Sequence, residues 1–400
     1  MSVAKRRKVL FLPKWYPDRK QDQNGNFIQQ HAQAVAQYAD VVVLFANYDD
    51  FSGPNLIQFD FKKDNGIPTL YFYYKQRITG ISFIDKPLKL LLYFACMMRG
   101  YRLVLRLFGR PDLLHVHVLL RTGLFAWFKC LTDNLPYIIT EHWSLYLPQN
   151  AHRISWLRRK LTAMIVKRAA ALHTVSGSLL QAMNRLGFRN KRTLVIPNVV
   201  ATDTFYPGNA TKTASKTRFL HVAVFNEEAK NLSGLLRTFQ QLTALNPNAE
   251  LRIIGFGPAE EQLKKLAQEL GLLNQTVFFE GKKEPGEVAA YMRESDAFVL
   301  FSNYENLPCV LIEALASGLP VIATRVGGIA EMIGPEQGIL IPPRDEKALL
   351  EALQFMCAHH QDFSKAALRQ YAVNKFSYQA VGWQFADLYE TVLLSLPKPD

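Results

Sequence analysis

The sequence predicts an α/β protein made of two doubly wound, Rossmann-like domains, each with a parallel sheet covered by helices on both faces. Short β-branched and aromatic runs alternate with longer helical patterns along all 400 residues, and strands separated by helices pair in parallel. The length suits two domains of ordinary size. The composition, 49% hydrophobic and 20% charged, is that of a folded globular chain. Such sheets bind ligands at the carboxyl ends of their strands.

The individual elements follow from these runs and periodicities. In the first half the predicted strands are Lys8–Leu12, Val41–Phe45, Thr69–Tyr74, Leu113–Val118, Tyr137–Thr140, Ala171–Val175 and Leu194–Ile196. The predicted helices between them include Phe27–Tyr38, Pro87–Phe108, Arg153–Ala170 and Ser178–Leu186. In the second half the predicted strands are Phe219–Val224, Glu250–Ile254, Val277–Glu280, Ala297–Leu300, Val321–Thr324 and Gly338–Ile341. Helices there include Leu232–Leu245, Ala259–Leu270, Glu287–Glu294 and Leu307–Ser317.

A polar, proline-containing stretch, Pro197–Thr217, predicts the domain boundary. We expect a first domain over residues 1–205, a second over 206–375, and a final helix over 376–400 that packs back on the first.

Several protein classes are disfavoured. The four cysteines form no CxxC pair, which argues against a disulfide framework or a zinc ribbon and favours a reducing compartment. The apolar run Val9–Leu12 is too short for an export signal. The uncharged stretch Leu90–Met98 is far shorter than the roughly 20 residues of a membrane-spanning helix. The prediction is a cytoplasmic protein.

The charge is distributed unevenly. Residues 1–200 carry 29 Lys and Arg against 11 Asp and Glu, whereas residues 201–400 carry 18 against 23. A basic half suits nucleic acid, an anionic membrane or an acidic substrate. The basic residues do not alternate with aromatic ones as in a recognisable RNA- or DNA-binding module, so we expect no nucleic-acid partner.

The most informative segment runs from Phe301 to Val321. Its pattern predicts a loop after a strand and then a helix that has Pro308 in its first turn. Glu305 lies in the loop, and Glu313 lies among apolar residues of the helix. A carboxylate in such surroundings is seldom buried alone, and either ligand hydroxyls or an internal salt bridge can serve as its partner. The free N–H groups at the helix start favour a phosphate.

With this segment the chain resembles family 4 of the retaining GT-B glycosyltransferases, whose E-x7-E motif matches Glu305 and Glu313. Other landmarks of that family occur in order over nearly the whole chain: Trp15-Tyr-Pro, Asn24-Gly25, His31, His115-Val-His117, Glu141-His142, Ile196-Pro197-Asn198, Gly255-Phe-Gly257-Pro258 and Gly327-Gly328 with Glu331.

The resemblance implies the GT-B fold, in which two Rossmann-like domains face each other across a cleft. It implies transfer of a sugar from a nucleotide-diphosphate donor, held mainly by the second domain, to a glycan or lipid-linked acceptor on the first. It further implies retention of the anomeric configuration and no cofactor or metal beyond the donor itself. Two alternatives stay open: a nucleotide-sugar epimerase of the same fold, and a catalytically silent sugar-nucleotide or polysaccharide binding protein.

The resemblance also implies roles for individual residues. Glu313 is similar to the carboxylate that holds the ribose hydroxyls, Glu305 to the one that faces the donor sugar, and His142 to the histidine that contacts that sugar. The remaining donor-binding candidates are Gly25 and the backbone N–H groups around Asn306, Leu307 and Pro308 at the diphosphate, Asn226, Gly255, and Lys282 and Lys283 where the base is read. The expected catalytic residues are Glu305, His142 and Lys230.

One departure from the family concerns the diphosphate. The family usually has an arginine and then a lysine after the first strand of the second domain. Lys230 fits the lysine, but the arginine position holds Phe225 or Asn226. Since such a charged contact contributes about 1.5–3 kcal/mol, Lys230 becomes the main expected cation, and Arg325 or Lys14 could replace the arginine.

Two helices of the basic half suggest where the protein acts. Basic residues recur at helical spacing around an apolar stretch and on a second helix that contains Trp156 and Leu157: Lys86, Lys89, Arg99, Arg102, Arg106 and Arg110, then Arg153, Arg158, Arg159, Lys160, Lys167 and Arg168. Such helices can lie on an anionic membrane, although a helix packed on a sheet also has one charged face. We expect a peripheral protein at the inner face of a membrane. The adjacent His359 and His360 point about 100° apart, so we expect no metal site there.

Overall fold

The computed structural model describes residues 6–208 and 216–395, which form two compact units. The first unit contains the chain up to Val175, Leu179–Pro197 and the stretch from Tyr378 onward. The second contains Ser176–Ser178 and Asn198–Ser377. The predicted boundary residues 209–215 lie outside the described part of the chain, as do 396–400 of the predicted final helix.

The first unit is built on an eight-stranded sheet with the order β3-β4-β2-β1-β5-β6-β7-β8. Its strands are β1 Lys8–Pro13, β2 Asp40–Asp49, β3 Ile57–Asp64, β4 Ile67–Lys75, β5 Leu113–His117, β6 Tyr137–Glu141, β7 Ala171–Thr174 and β8 Thr193–Val195. The helices that follow them are α1 Asn26–Ala36, α2 Ser82–Phe108, α3 Arg121–Asp133, α4 Trp156–Arg168 and α5 Gly177–Arg185. Every residue of β5, β6 and β7 is buried, as expected of central parallel strands.

The second unit is built on a six-stranded parallel sheet with the order β11-β10-β9-β12-β13-β14. Its strands are β9 Thr217–Val224, β10 Ala249–Phe256, β11 Val277–Gly281, β12 Ala297–Leu300, β13 Val321–Thr324 and β14 Gly338–Ile341. Its helices are α6 Glu227–Lys230, α7 Leu232–Leu245, α8 Glu260–Glu269, α9 Pro285–Glu294, α10 Cys309–Ala316, α11 Ile329–Met332, α12 Glu346–His359 and α13 Lys365–Phe376. The last helix, α14 Tyr378–Leu394, belongs to the first unit.

One strand pair departs from the predicted parallel sheet. Strand β3, which the sequence analysis missed, pairs antiparallel with β4. The two are joined by Asn65 and Gly66, both with positive φ, which is the geometry of a two-residue hairpin turn. Lys62 and Lys63 lie on this edge strand, where lysines discourage pairing with other chains. Helix α3 was also not predicted.

The boundary between the units lies earlier than the predicted one at residue 205. Asn198 Nδ2 donates to the carbonyl of Leu307 (2.7 Å), and the N–H of Val200 donates to the carbonyl of Phe376 (2.8 Å). These bonds tie residues 198–205 to the second unit, so the chain leaves the first unit at Pro197.

Helix α14 is attached to the first unit by a close contact with α1. Arg7 donates two hydrogen bonds of 2.7 Å to the carboxylate of Glu390. A Cβ on Gly382 would lie 2.2 Å from the carbonyl oxygen of Ala34, so the two helices approach as closely as glycine allows.

We therefore expect Gly382→Ala to destabilise the protein by about 1–3 kcal/mol, because the added methyl must push α14 off α1. Gly286→Ala on α9 is the matched control, since a Cβ there meets no atom within 4 Å. Urea unfolding of both variants measures the difference. Equal stabilities would contradict the close contact.

Candidate functional site

The loop after β12 and the helix that follows it, α10, carry the two carboxylates that the sequence singled out. Glu305 lies in the loop 301–308, and Glu313 lies inside α10, as predicted. Pro308 is the residue before the first helical position, with φ −71° and ψ 120°. Proline has no N–H, so any N–H groups that face a ligand at this helix start belong to residues on either side of Pro308. The leading N–H groups of α10 are those of Cys309 and Val310.

Glu305 is held by two groups from neighbouring loops. The ammonium of Lys230, the last residue of α6, donates to Glu305 Oε1 in a short ion pair, and Ser302 Oγ donates to the same oxygen at 2.7 Å. The N–H of Asn303 donates to the carbonyl of Ala229 (2.7 Å), which fixes the loop after β12 against α6. The pair is mostly buried, so a cation and an anion are fixed side by side at the carboxyl edge of the sheet.

Glu313 has no such partner. Within residues 6–208 and 216–395 its carboxylate makes no hydrogen bond and no ion pair, although the residue is mostly buried between Ile312 and Ala314. Burial raises the pKa of this carboxyl group to about 7. The sequence left two kinds of partner open for Glu313, ligand hydroxyls and an internal salt bridge. The described residues supply no salt bridge.

Glycines bring neighbouring loops against this site. A Cβ on Gly327 would lie 2.0 Å from the carbonyl oxygen of Glu305, and the N–H of Gly328 donates to the carbonyl of Asn306 (2.7 Å). At the end of β10, a Cβ on Gly255 would lie 1.8 Å from the carbonyl oxygen of Ala223. Close packing against Ala223 therefore explains why residue 255, predicted to bind the donor, is a glycine.

The position of the missing arginine is accounted for by packing and capping. Phe225 is buried against Phe279, so this position belongs to the core. Asn226 caps α6 by accepting from the N–H of Ala229 at 3.3 Å. Neither residue places a cation at the loop.

Other cations lie at the same edge of the sheet. Lys282 and Lys283 follow β11 directly, and Lys283 faces Glu287 at 3.5 Å. Arg344, which follows β14, was missed; its Nε donates to Asn303 Oδ1 at 3.2 Å. Its sequence signal was its place shortly after a strand of the second sheet, a place that Lys282 shares.

The predicted residues of the first unit gather at the ends of β1, β5 and β6. Gly25, with φ 75°, precedes α1, and a Cβ there would lie 2.5 Å from the Trp15 carbonyl. His142 follows β6 directly, is buried, and packs on the Phe27 ring with centroids 4.7 Å apart. Lys14 Nζ lies 3.4 Å from the centroid of the Trp143 ring, and burial lowers the pKa of Lys14 to about 8.

Comparison with known proteins agrees with the fold described above. Residues 26–204 match the family described as Glycosyltransferase Family 4, and residues 205–372 match Glycosyl transferases group 1. The chain belongs to the family 4 glycosyltransferases. Its two sheets are the Rossmann-like halves of the GT-B fold.

Two bacterial glycosyltransferases illustrate the relationship. The chain is 27% identical over 252 residues to the Bacillus subtilis teichuronic acid biosynthesis glycosyltransferase TuaC, across 61% of this chain and 60% of TuaC. It is 26% identical over 307 residues to the D-inositol 3-phosphate glycosyltransferase of Corynebacterium urealyticum, across 70% of this chain and 72% of that protein.

Solved structures share the fold at lower identity. Sucrose-phosphate synthase from Thermosynechococcus elongatus has a TM-score of 0.77 at 21% identity, covering 98% of this chain and 100% of the other. Anabaena HepE in complex with UDP has a TM-score of 0.73 at 17% identity, covering 96% and 100%.

The raised pKa of Glu313 predicts a pH-dependent cost in stability. Above about pH 7 the folded protein holds an unpaired ionised carboxylate, whereas below pH 4.5 the group is protonated in both states and the cost disappears. Glu313→Gln should therefore raise the free energy of unfolding at pH 8, by up to about 3 kcal/mol, and leave it unchanged at pH 4.5. Unfolding at the two pH values tests this, with Glu351→Gln on the exposed side of α12 as control. A gain that does not depend on pH would contradict the assignment.

Proposed function

We propose that this glycosyltransferase moves a sugar from a nucleoside-diphosphate donor, with retention, to a lipid-linked or other anionic glycan acceptor. The second unit holds the donor. The observation that carries the proposal is the set of three side chains at the loop after β12 and in α10: the cation Lys230, the carboxylate of Glu305 paired with it, and the carboxylate of Glu313, which has no partner among the described residues.

Each of these groups matches one part of such a donor. The ribose offers two hydroxyl donors to the unpartnered carboxylate of Glu313, which relieves its desolvation. The diphosphate carries the charge that Lys230 and the leading N–H groups of α10 favour. Glu305 then accepts from the hydroxyls of the sugar. As the bond to the diphosphate breaks, Lys230 and these N–H groups stabilise the developing negative charge, so the proposal includes no metal ion beside the phosphates.

This division of roles can be measured. Glu313→Gln should weaken binding of free UDP or GDP by more than about tenfold, because charge-assisted bonds to the ribose are lost. Glu305→Gln and Lys230→Ala should lower turnover strongly, and Glu305→Gln should leave the affinity for free nucleotide nearly unchanged. Calorimetry with nucleotide and transfer assays with sugar nucleotides separate these effects, and Lys264→Ala on α8 serves as the control for lost charge. Equal loss of nucleotide affinity in both glutamate variants would reject the assignment.

An anionic acceptor is supported by the charge of the first half of the chain and by the names of relatives. The first 200 residues carry a large excess of basic side chains. The relatives include proteins named for teichuronic acid, colanic acid and D-inositol 3-phosphate, all of which are acids. An acceptor that carries such groups is attracted to this unit by long-range electrostatics.

A membrane location is supported by apolar side chains that the first unit leaves exposed. At the start of α2 Phe83 is 85% exposed and Leu91 66%, and at the start of α4 Trp156 is 68% exposed and Leu157 58%. Helices that merely cover a sheet bury such residues. The later part of the apolar stretch, around Tyr93 and Met97, is buried in the core instead. Among residues 6–208 and 216–395, no helix has both the length and the apolar character that a membrane crossing requires.

The exposed residues and their basic neighbours predict binding to anionic vesicles. Each Lys or Arg near an anionic surface contributes about 1 kcal/mol, so binding should be reversible and should weaken with salt. Co-sedimentation should detect the protein on anionic but not neutral vesicles at low salt, and Trp156→Ala with Leu157→Ser should reduce the bound fraction. Trp383→Ala, an exposed tryptophan on α14, is the matched control. If the protein does not bind anionic vesicles at low salt, the membrane location is rejected and a soluble acceptor becomes the favoured interpretation.

A further inference from the structure

Three cations come from adjacent loops at one edge of the first sheet. Lys14 directly follows β1, Arg121 is the first residue of α3 after β5, and Arg158 lies in the first turn of α4 after β6. Strands β1, β5 and β6 are neighbours in the sheet, and they are parallel. Their carboxyl ends therefore bring these loops to the same edge, which is where sheets of this kind bind ligands.

Two of the cations lie against the same indole ring. Lys14 Nζ lies 3.4 Å from the centroid of the Trp143 ring, and Arg158 Cζ lies 4.7 Å from it. Lys14 Nζ also lies 4.9 Å from the centroid of the Trp15 ring. Because the face of an indole attracts cations, aromatic contacts hold these two side chains in place and leave their charge uncompensated.

Arg121 is fixed by a contact with a tyrosine. Its Nη1 donates to the hydroxyl of Tyr74 at 3.1 Å. Its Cζ lies 5.9 Å from the centroid of the Tyr93 ring, and the buried hydroxyl of Tyr93 has no hydrogen-bond partner in the described part of the chain. Helix α3, which Arg121 begins, has no acidic residue in its first turn. The start of a helix favours an anion, so a cation there adds to an uncompensated positive potential.

Glu141, the carboxylate beside Lys14, is occupied by the backbone. It is fully buried, and its oxygens accept from the N–H groups of Leu119 (3.0 Å), His142 (2.9 Å) and Trp143 (2.8 Å). Burial raises the pKa of Glu141 to about 7, so part of its population is neutral at neutral pH. Glu141 thus fixes the turns after β5 and β6 and does not balance the three cations.

The three positive charges act on one another. Burial lowers the pKa of Lys14, the Glu141 carboxylate raises it, and the charges of Arg158 and Arg121 lower it further. Among residues 6–208 and 216–395, none of the three cations has a carboxylate oxygen within 4.0 Å. Like charges held together in this way favour an anion. A phosphate suits them, since it carries up to two charges and its oxygens match the paired N–H donors of a guanidinium group.

We propose that Lys14, Arg121 and Arg158 bind a phosphate group carried by the acceptor. The inference rests on the proposed function, because it names the anionic group of the acceptor that we assign to the first unit. His142, which the family resemblance places at the donor sugar, directly precedes Trp143, so a phosphate held here keeps the rest of the acceptor beside the reacting sugar. The start of α4, which we place at the membrane, carries Arg158, so the phosphate of a lipid-linked acceptor can reach this site.

The experiment titrates the full chain with glycerol 3-phosphate, inorganic phosphate, glycerol and glucuronate at constant ionic strength, and follows binding by calorimetry and phosphorus NMR. We expect both phosphates to bind, and glycerol not to bind. Arg121→Gln, Arg158→Gln and Lys14→Met should each weaken binding of glycerol 3-phosphate by about tenfold or more, because a charge-assisted hydrogen bond is lost. Lys167→Gln is the matched control for lost charge, since Lys167 is exposed at the other end of α4.

Titration with UDP separates this site from the donor site. The three variants should bind UDP with the affinity of the wild type, whereas Lys230→Ala should weaken UDP binding and leave the affinity for glycerol 3-phosphate unchanged. Binding of glycerol 3-phosphate without binding of UDP would contradict the proposed donor and leave the phosphate site standing. Binding of UDP without binding of either phosphate would do the reverse.

Three further results would overturn the proposal. The first is undiminished phosphate binding by all three variants. The second is an equal loss of UDP affinity in these variants, which would assign the cations to the donor. The third is tighter binding of glucuronate than of glycerol 3-phosphate, which would make the anion a carboxylate. Circular dichroism establishes that each variant is folded. Because Arg121 is exposed, Arg121→Gln tests the proposal even where a variant of the half-buried Lys14 or Arg158 does not fold.

Discussion

Burial of both sheets on both faces is the constraint on which the rest of the molecule depends. Central strands such as β5, β6 and β12 are buried at every residue, so they have little room for charged side chains. Charged groups therefore collect where strands end and loops reach solvent. Lys230, Lys282, Glu305 and Arg344 all lie just beyond strand ends, and His142 does so in the first unit. The topology of the sheets therefore determines where charged and reactive side chains can lie.

Glu305 in the loop after β12 and Glu313 in α10 have opposite surroundings. Glu305 is stabilised by Lys230 and Ser302 and belongs to a connected polar group. Glu313 lies in the apolar interior of a short helix, where its ionisation is disfavoured. Under the proposed function, the ribose hydroxyls of the donor would supply the partner that Glu313 lacks within the described residues.

Much of the fold was readable from the sequence because its strands are short, apolar and separated by helices. The positions of Glu305 in a loop and Glu313 in a helix followed from Pro308, which suits the first turn of a helix. Strand β3 was not predicted, although the sequence carries two signals for it: Phe59 and Phe61 alternate with polar residues, and Asn65-Gly66 is typical of a hairpin turn. The grouping of Lys14, Arg121 and Arg158 could not be predicted, because these residues come together only once β1, β5 and β6 lie side by side in the sheet.

Under the proposed function, Lys230 is the main cation for the diphosphate, because Phe225 lies in the core and Asn226 caps α6. Lys230 already forms a mostly buried ion pair with Glu305. An ammonium group has three N–H donors, so Lys230 can donate to a phosphate while it still donates to Glu305. A carboxylate accepts several hydrogen bonds, so Glu305 can accept from the sugar hydroxyls within the same pair. The donor would thus bind without separating the pair, and neither mostly buried charge would be left alone.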